Sequence, residues 1–146
     1  MEKHFGSEFW KEGDKVGIDI LFTADEFICL YFGAHWCPPC WPFTTILSEV
    51  YNTINKEKKV IEVLFCTYDG SEDAFEWNFL EMPWLAFPFD DPKLKFFKSS
   101  YGVTGLPTLV VLDKRGNIVT YEGRGDVQTQ WEYCIDEWRR KANESS

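Results

Sequence analysis

Apolar and polar positions alternate along the chain in blocks that predict an α/β domain. Nearly continuous apolar runs are typical of strands covered on both faces of a sheet, whereas apolar residues at three- and four-residue steps indicate a helix with one buried face. The predicted strands are 16–21, 26–32, 60–66, 108–113 and 118–121. The predicted helices are 37–56, 71–80, 92–100 and 126–141, the last with an inner face made of Val127, Trp131, Cys134, Ile135 and Trp138.

Loop signals separate these elements. The segment 82–89 contains Pro83 and Pro88, and we predict a loop there because proline has no N–H for strand pairing. Residues 114–117 have turn chemistry, so the last two strands should form a hairpin. The resulting order, β–β–α–β–α–α–β–β–α, predicts a mixed central β-sheet flanked by helices in a single domain spanning 1–146.

Composition and charge narrow the function classes. The chain has 146 residues, of which 45% are hydrophobic, and a net charge of −9. An acidic surface repels phosphate backbones, which argues against nucleic-acid binding. We see no apolar run approaching the ~20 residues of a membrane span, and no signal peptide. We therefore expect a monomeric cytoplasmic protein, with a nuclear location also open, that binds neither membrane nor nucleic acid.

The chain has five cysteines, and two of them, Cys37 and Cys40, have the C-x-x-C spacing that is typical of redox or metal sites. A structural zinc site needs a second pair of ligands. Cys29, Cys66 and Cys134 are not paired at ligand spacing. We therefore expect no metal and no cofactor, and a redox role for the pair.

The segment Trp36-Cys37-Pro38-Pro39-Cys40 lies where a predicted strand gives way to a helix. A helix N-terminus favours the thiolate form of a cysteine, which is the nucleophile in disulfide exchange. Pro38 and Pro39 have no N–H, so the first free donors behind Cys37 include the amide of Cys40. The spacing also allows a disulfide. We expect an exposed Cys37 to attack a substrate disulfide and Cys40 to resolve the mixed disulfide.

A second feature supports this site. Leu106 and Pro107 precede the strand predicted at 108–113, and a proline is tolerated at the first position of a strand. Leu106 would then offer its backbone N–H and C=O to an extended substrate segment.

Five further residues allow two interpretations each. His35 either tunes Cys37 or is an exposed loop residue, which we favour. Cys29 and Cys134 are expected to be buried apolar residues rather than reactive thiols. Cys66 closes a strand near the site, so a secondary redox role is open but not favoured. Trp36 is either core or an aromatic shield beside the thiol, and its position before Cys37 favours the shield.

These motifs resemble the thioredoxin superfamily, and within it the tryparedoxin and nucleoredoxin branch. The resemblance rests on residues 36–40, on Met-Pro-Trp-Leu-Ala-Phe-Pro-Phe at 82–89 and on Leu-Pro-Thr-Leu at 106–109, and it extends over about 15–131. It implies a thioredoxin-like fold with a cis Pro107 against the active-site disulfide. It also implies a dithiol carrier that passes electrons from a small dithiol or a reductase to peroxiredoxins and other protein disulfides.

The chain departs from this branch at several positions. Trp41 stands where the family has arginine after the second cysteine, which should raise the pKa of Cys37 or alter docking. Gly70 replaces the acid of a Trp-Asp-Glu motif, and a helix proline found in the family at the position of Thr45 is replaced by Pro42. Tyr31 occupies the place of the buried aspartate of ordinary thioredoxins, as in the tryparedoxin branch, so no proton relay through that acid is available.

Three functions remain open at this point. The first is a disulfide reductase whose donor is trypanothione, glutathione or thioredoxin reductase. The second, an oxidase or isomerase, is disfavoured by the lack of a secretory signal. The third is a redox-regulated binding module with little turnover, docking through exposed aromatics. Candidates for such a surface are Trp41, Trp77 and Trp84, although we expect Trp84 to be core.

Overall fold

The computed structural model describes residues 8–11, 14–17 and 23–145. The strands in these ranges are β1 (Glu8–Lys11), β2 (Asp14–Gly17), β3 (Phe27–Gly33), β4 (Ile61–Thr67), β5 (Leu85–Ala86), β6 (Thr108–Asp113) and β7 (Ile118–Thr120). The helices are α1 (Cys40–Ile54), α2 (Glu72–Phe79), α3 (Lys93–Ser100), α4 (Gly123–Gln130) and α5 (Cys134–Ser145), and a 3₁₀ turn, Trp131–Tyr133, separates the last two.

The described strands form one sheet in the order β2-β1-β5-β4-β3-β6-β7. Strand β3 lies in its interior, parallel to β4 and antiparallel to β6. The β6–β7 hairpin is antiparallel, while β5 runs parallel to β4. The mixed sheet predicted from the sequence is therefore confirmed.

Helices cover both faces of the sheet and enclose two apolar clusters. One face packs against α1, α2, α4 and α5, and its cluster includes Tyr31, Phe43 and Trp84. The opposite face packs against α3 and includes Cys66 and Phe97. All residues of β3 and β4 are buried. This confirms the prediction, made from their nearly unbroken apolar runs, that both strands are covered on both faces.

Side-chain hydrogen bonds fix the connections on either side of β4. After α1, the Asn55 side-chain oxygen accepts the N–H groups of Val60 (2.8 Å) and Ile61 (3.0 Å), which ties the C-cap residue of the helix to the start of the strand. Before α2, the Ser71 hydroxyl accepts the N–H of Ala74 at 3.2 Å, which confirms the predicted N-cap.

The loop predicted at 82–89 is wrong in part, because Leu85–Ala86 forms β5. These residues pair with β4 on one side and with β1 on the other. Pro83 and Pro88 flank the short strand and remove no N–H from it. At the N-terminus, β1 was not predicted. The strand predicted at 16–21 overlaps β2 only at 16–17, and residues 18–22 lie outside the described residues.

The predicted helix 126–141 is wrong as a single element. The structure begins it at Gly123 and breaks it at Trp131, whose φ of 52° is left-handed. The break turns Trp131 outward, to 41% exposure, while Cys134 and Trp138 stay fully buried. Gly123 allows α4 to start against β6, because a Cβ there would lie 2.7 Å from the carbonyl oxygen of Leu109.

Within the described ranges, no helix has the length and apolar character needed to cross a membrane.

Candidate active site

A disulfide joins Cys37 and Cys40 between the end of β3 and the first turn of α1. Their Cα atoms lie 5.4 Å apart, within the usual range for a disulfide. The exposed fraction of the residue is 4% for Cys37 and 2% for Cys40. The expectation of an exposed Cys37 is therefore not met in the disulfide form, because the surrounding loop covers most of the residue.

Backbone hydrogen bonds wind the loop into the start of the helix. The N–H of Cys37 donates to the Ala34 carbonyl (3.2 Å), and the N–H of Cys40 donates to the Cys37 carbonyl (3.0 Å). Helix α1 begins at Cys40 with Pro39 as its N-cap, so the predicted start at Cys37 is wrong. Pro42 lies in the first turn, where backbone N–H groups have no partner within the helix, and it is accommodated there without loss of a hydrogen bond.

The disulfide opens on a groove of about 440 Å³. Its wall residues are Trp36, Cys37, Pro38, Pro39, Tyr68 and the segment 103–106. Pro107, buried behind Leu106, is joined to it by a cis peptide bond. The structure thus brings Trp36, Cys37, Pro38, Pro39 and Leu106 to one surface, with Cys40 and Pro107 behind it.

Trp36 forms an exposed wall of this groove and is not part of the core. The residue is 62% exposed, and its indole N–H donates to the Tyr68 carbonyl at 3.0 Å. This bond holds the ring against the β4–α2 connection. The structure therefore places Trp36 beside the thiol, as the shield interpretation requires.

Asp69, which has no sequence signal linking it to the site, and Trp41 hold His35 from both sides. Oδ1 of Asp69 accepts the His35 N–H at 2.7 Å, and the indole N–H of Trp41 donates to the His35 carbonyl at 2.7 Å. The hydroxyl of Thr67 donates to Oδ2 of Asp69 at 2.6 Å. The loop entering Cys37 is thus fixed by β4 and by the helix that Cys40 begins, while His35 itself is exposed.

Tyr31 replaces a buried acid with a neutral hydroxyl. Its oxygen lies 2.6 Å from Oγ1 of Thr44 and 3.4 Å from the Cys40 carbonyl oxygen. Burial raises the pKa of Tyr31 to about 12, against the lowering effect of the Thr44 hydrogen bond. The hydroxyl therefore keeps its proton at neutral pH and positions the first turns of α1.

The other three cysteines lie in the core. Cys29, Cys66 and Cys134 are free thiols with 0% exposure, which confirms the expectation for Cys29 and Cys134. Burial raises the pKa of each of the three thiols. Cys66 has no surface through which to exchange a disulfide. Across residues 23–145, no group of three or more His, Cys, Asp or Glu residues could hold a metal ion.

A lysine supports the groove from behind. Nζ of Lys98 lies 3.9 Å from the centroid of the Tyr68 ring, a cation–π distance. Burial lowers the pKa of Lys98. The contact fixes Tyr68, which in turn carries the carbonyl that holds Trp36.

Comparisons with known proteins agree with this geometry. Residues 25–118 match the family model described as thioredoxin-like. Nucleoredoxin from Bos taurus is 44% identical over 99 residues, which make up 67% of this chain and 23% of that protein. Tryparedoxin from Trypanosoma brucei superposes with a TM-score of 0.83 at 29% identity, covering 93% of this chain and 95% of the other. A tryparedoxin II complexed with glutathionylspermidine gives 0.80 at 31% identity, covering 88% and 90%.

The fold and the disulfide at the start of α1 define the class of thioredoxin-like oxidoreductases. The chain belongs to the thioredoxin-like family, in the branch that includes the nucleoredoxins and tryparedoxins. It spans 23% of the length of the bovine nucleoredoxin that it matches.

Proposed function

We propose that the protein is a dithiol carrier that reduces disulfide bonds in other proteins through Cys37 and Cys40. The observation that carries this proposal is the groove itself, in which the Cys37 side of the disulfide faces an open, largely apolar surface. The second cysteine lies behind it at the helix start, where no substrate needs to reach it.

The proposed reaction moves two electrons to the substrate. In the reduced protein, the Cys37 thiolate attacks one sulfur of the substrate disulfide, forms a mixed disulfide and releases the first substrate thiolate, which takes up a proton. The Cys40 thiol loses its proton and attacks Cys37. This step forms the Cys37–Cys40 disulfide and releases the second substrate thiol. A donor dithiol then restores the reduced protein and is itself oxidised.

The groove supplies a place for the substrate chain. Leu106 lies before the ladder of β6, and none of the loop hydrogen bonds among the described residues uses its N–H or C=O. An extended substrate segment can pair with these groups. Trp36, Pro38 and Pro39 form apolar walls on which its side chains would pack. We propose these residues, with Pro107 behind them, as the substrate-binding part of the site.

We propose peroxiredoxins and similar disulfide-containing proteins as substrates, and a low-molecular-weight dithiol or a reductase as donor. The structural neighbour complexed with glutathionylspermidine supports a low-molecular-weight thiol compound as the donor. The proposed location is the cytoplasm or the nucleus, with the chain acting as a monomer.

The alternative function is a redox-regulated binding module with little turnover. It is supported by large aromatic side chains exposed around the disulfide: Trp36, Trp41 and Trp77 are 62%, 54% and 68% exposed. In this function, formation of the Cys37–Cys40 disulfide would change the docking surface, not transfer electrons to a substrate.

A donor assay separates the two functions. The oxidised protein is mixed separately with trypanothione, with glutathione, and with thioredoxin reductase plus NADPH, and reduction of the Cys37–Cys40 disulfide is followed by thiol labelling. We expect fast reduction by one donor, and sustained reduction of a peroxiredoxin disulfide with that donor. Lack of reduction by every donor would favour the binding module. Full activity in Cys37→Ser would overturn every redox function.

A further inference from the structure

A second cleft lies on the other side of the loop that carries the disulfide. It has a volume of about 390 Å³ and lies between the first turns of α1 and the C-terminal end of α2. The lining residues relevant here are His35, Trp41, Trp77, Asn78 and Glu81. The proposed disulfide exchange at Cys37 and Cys40 does not involve this cleft.

Two tryptophans form its aromatic walls. Trp41 is 54% exposed and Trp77 is 68% exposed. The Trp41 ring is fixed in place by its 2.7 Å hydrogen bond to the His35 carbonyl. Exposed indole faces attract cations, and a ring held in one position loses less freedom when a ligand binds.

Acidic groups lie at the rim of the cleft and behind it, and one of them, Asp69, also interacts with the charge of Lys98. Glu81 is exposed at its rim. The buried carboxylate of Asp69 lies directly behind two lining residues, accepting the His35 N–H at 2.7 Å and an amide N–H of Asn78 at 3.4 Å. None of the ion pairs within residues 23–145 involves either acid.

The C-terminal end of α2 adds negative electrostatic potential at this cleft. Helix α2 has no basic residue in its last turn, so the negative end of its dipole is not compensated from within the helix. Among the residues that the structure describes, no lysine or arginine lines the cleft, and the chain as a whole carries a charge of −9.

We propose that this cleft binds an arginine or lysine side chain of the protein whose disulfide is being reduced. The inference rests on the proposed reductase function and deepens it by naming a substrate preference. The neighbouring residues His35 and Trp36 line the cleft and the thiol groove respectively, and adjacent Cα atoms are about 3.8 Å apart. A substrate chain in the groove therefore needs only a few residues to place a cationic side chain in the cleft.

Binding is tested first without any redox step. N-acetyl-arginine amide is titrated into the oxidised protein, with N-acetyl-citrulline amide as the uncharged match, and the indole N–H signals are followed by NMR. We expect the arginine probe to shift the Trp41 and Trp77 signals selectively, with the signal of Trp138, which packs against Phe27 at the opposite end of β3, unchanged. Equal effects of both probes, or no effect at Trp77, would overturn the proposal whether or not the protein reduces disulfides.

The kinetic test uses peptide disulfides that differ only in an arginine or a citrulline placed at each position within four residues of the cysteine. We expect kcat/KM to favour arginine about fivefold at one or more positions, with the preference falling as salt is added. Reduction of both peptides at every position without preference would overturn this inference and leave the proposed function standing. Failure to reduce either peptide would count against the proposed function, and the NMR titration would still decide the cleft.

Two variants separate the cleft from the general charge of the protein. Trp77→Leu removes an aromatic wall and Glu81→Gln removes the rim charge, and each should reduce the arginine preference by half or more. Glu76→Gln is the matched control for Glu81→Gln, because Glu76 is exposed on α2 outside the cleft and its replacement changes the net charge equally. A preference that survives in both cleft variants would overturn the proposal.

Discussion

The cysteines of this protein occupy two kinds of surroundings that differ little in exposure. Cys37 and Cys40 are 4% and 2% exposed, while Cys29, Cys66 and Cys134 are each 0% exposed. Cys37 nevertheless borders a groove at the start of a helix, with its disulfide partner Cys40 behind it, whereas the other three are enclosed by the apolar clusters on the two faces of the sheet. Position relative to the groove, more than exposed area, therefore distinguishes the proposed redox pair from the other three cysteines.

The electrostatics of the two regions reinforce the difference. Around Cys134, burial is the main cause that raises the thiol pKa to about 12, and nearby acids such as Asp126 add to it. The groove cysteines instead lie at the N-terminal end of α1, where the positive end of the helix dipole favours a thiolate. The same residue type is thus an apolar filler in one region and the proposed nucleophile in the other.

The largest expected effect comes from removing the nucleophile. Cys37→Ser should lower disulfide turnover by at least about 10³-fold, since no other thiol reaches the groove. The measurement is kcat/KM with a protein disulfide and a saturating donor. Cys134→Ala is the control and should retain turnover. An activity loss of equal size in Cys134→Ala would break the division into reactive and inert cysteines.

A polar replacement in the core should affect stability and leave turnover intact. Cys29→Ser buries a hydroxyl among apolar neighbours, and we expect a loss of about 1–3 kcal/mol in the free energy of unfolding. Urea denaturation measures it. Cys29→Ala introduces no polar atom and should cost less. If the serine variant were as stable as the alanine variant, Cys29 would have a polar partner that the described structure does not show.

Alkaline pH should destabilise the folded protein through its buried thiol and tyrosine groups. Burial raises the pKa of Cys134 from 9.0 to about 12 and that of Tyr31 from 10.0 to about 12. The folded state therefore keeps protons that the unfolded state releases. The contribution of these two groups to the free energy of unfolding is fully present below about pH 9 and is lost as the pH rises to about 12. Urea midpoints between pH 8 and 12, with thiol labelling of the buried cysteines, check this.

Two variants test the cause of that pH dependence. Tyr31→Phe should flatten the decline between about pH 10 and 12, and Cys134→Ala should flatten it from about pH 9 upward. A decline that is identical in wild type and both variants would mean that other groups govern alkaline stability.

The smallest expected effect concerns the charge beside the reactive pair. Trp41→Arg places a cation at the start of α1, and we expect it to lower the pKa of Cys37 and to speed alkylation of the reduced protein at pH 6 about two- to fivefold. Trp41→Leu removes the indole without adding charge and serves as the control. Equal rates in the arginine and leucine variants would show that the Cys37 thiolate does not sense this position.

Elements with strong local patterns were predicted well. The buried strands β3, β4 and β6 and the Ser71 cap each depend on a few adjacent residues, and the structure confirms them. The motif at 36–40 and the cis Pro107 also follow from short segments that resemble a known family. The burial of Trp84, which is 0% exposed, agrees with the expectation that it belongs to the core.

The parts that were missed depend on contacts between distant residues. Strand β5 has two residues and forms because β4 and β1 lie on either side of it. The hydrogen bonds from the His35 N–H to Asp69 and from the Trp36 indole to Tyr68 join residues more than 30 positions apart, and such bonds have no periodicity in sequence. The break at Trp131 was missed because its spacing from Val127 and Cys134 fits a continuous helix.

The close approach of Gly123 to β6 sets a limit on sequence variation in this protein. A methyl group at this position would meet the Leu109 carbonyl oxygen at 2.7 Å, whereas one at Gly70 would meet nothing within 4 Å. In a library that substitutes every position, glycine alone should survive at 123, while a wide range of residues should survive at 70. Variants of this sequence can therefore carry an acidic residue at position 70, but they cannot replace Gly123, where α4 contacts the strand that follows Pro107.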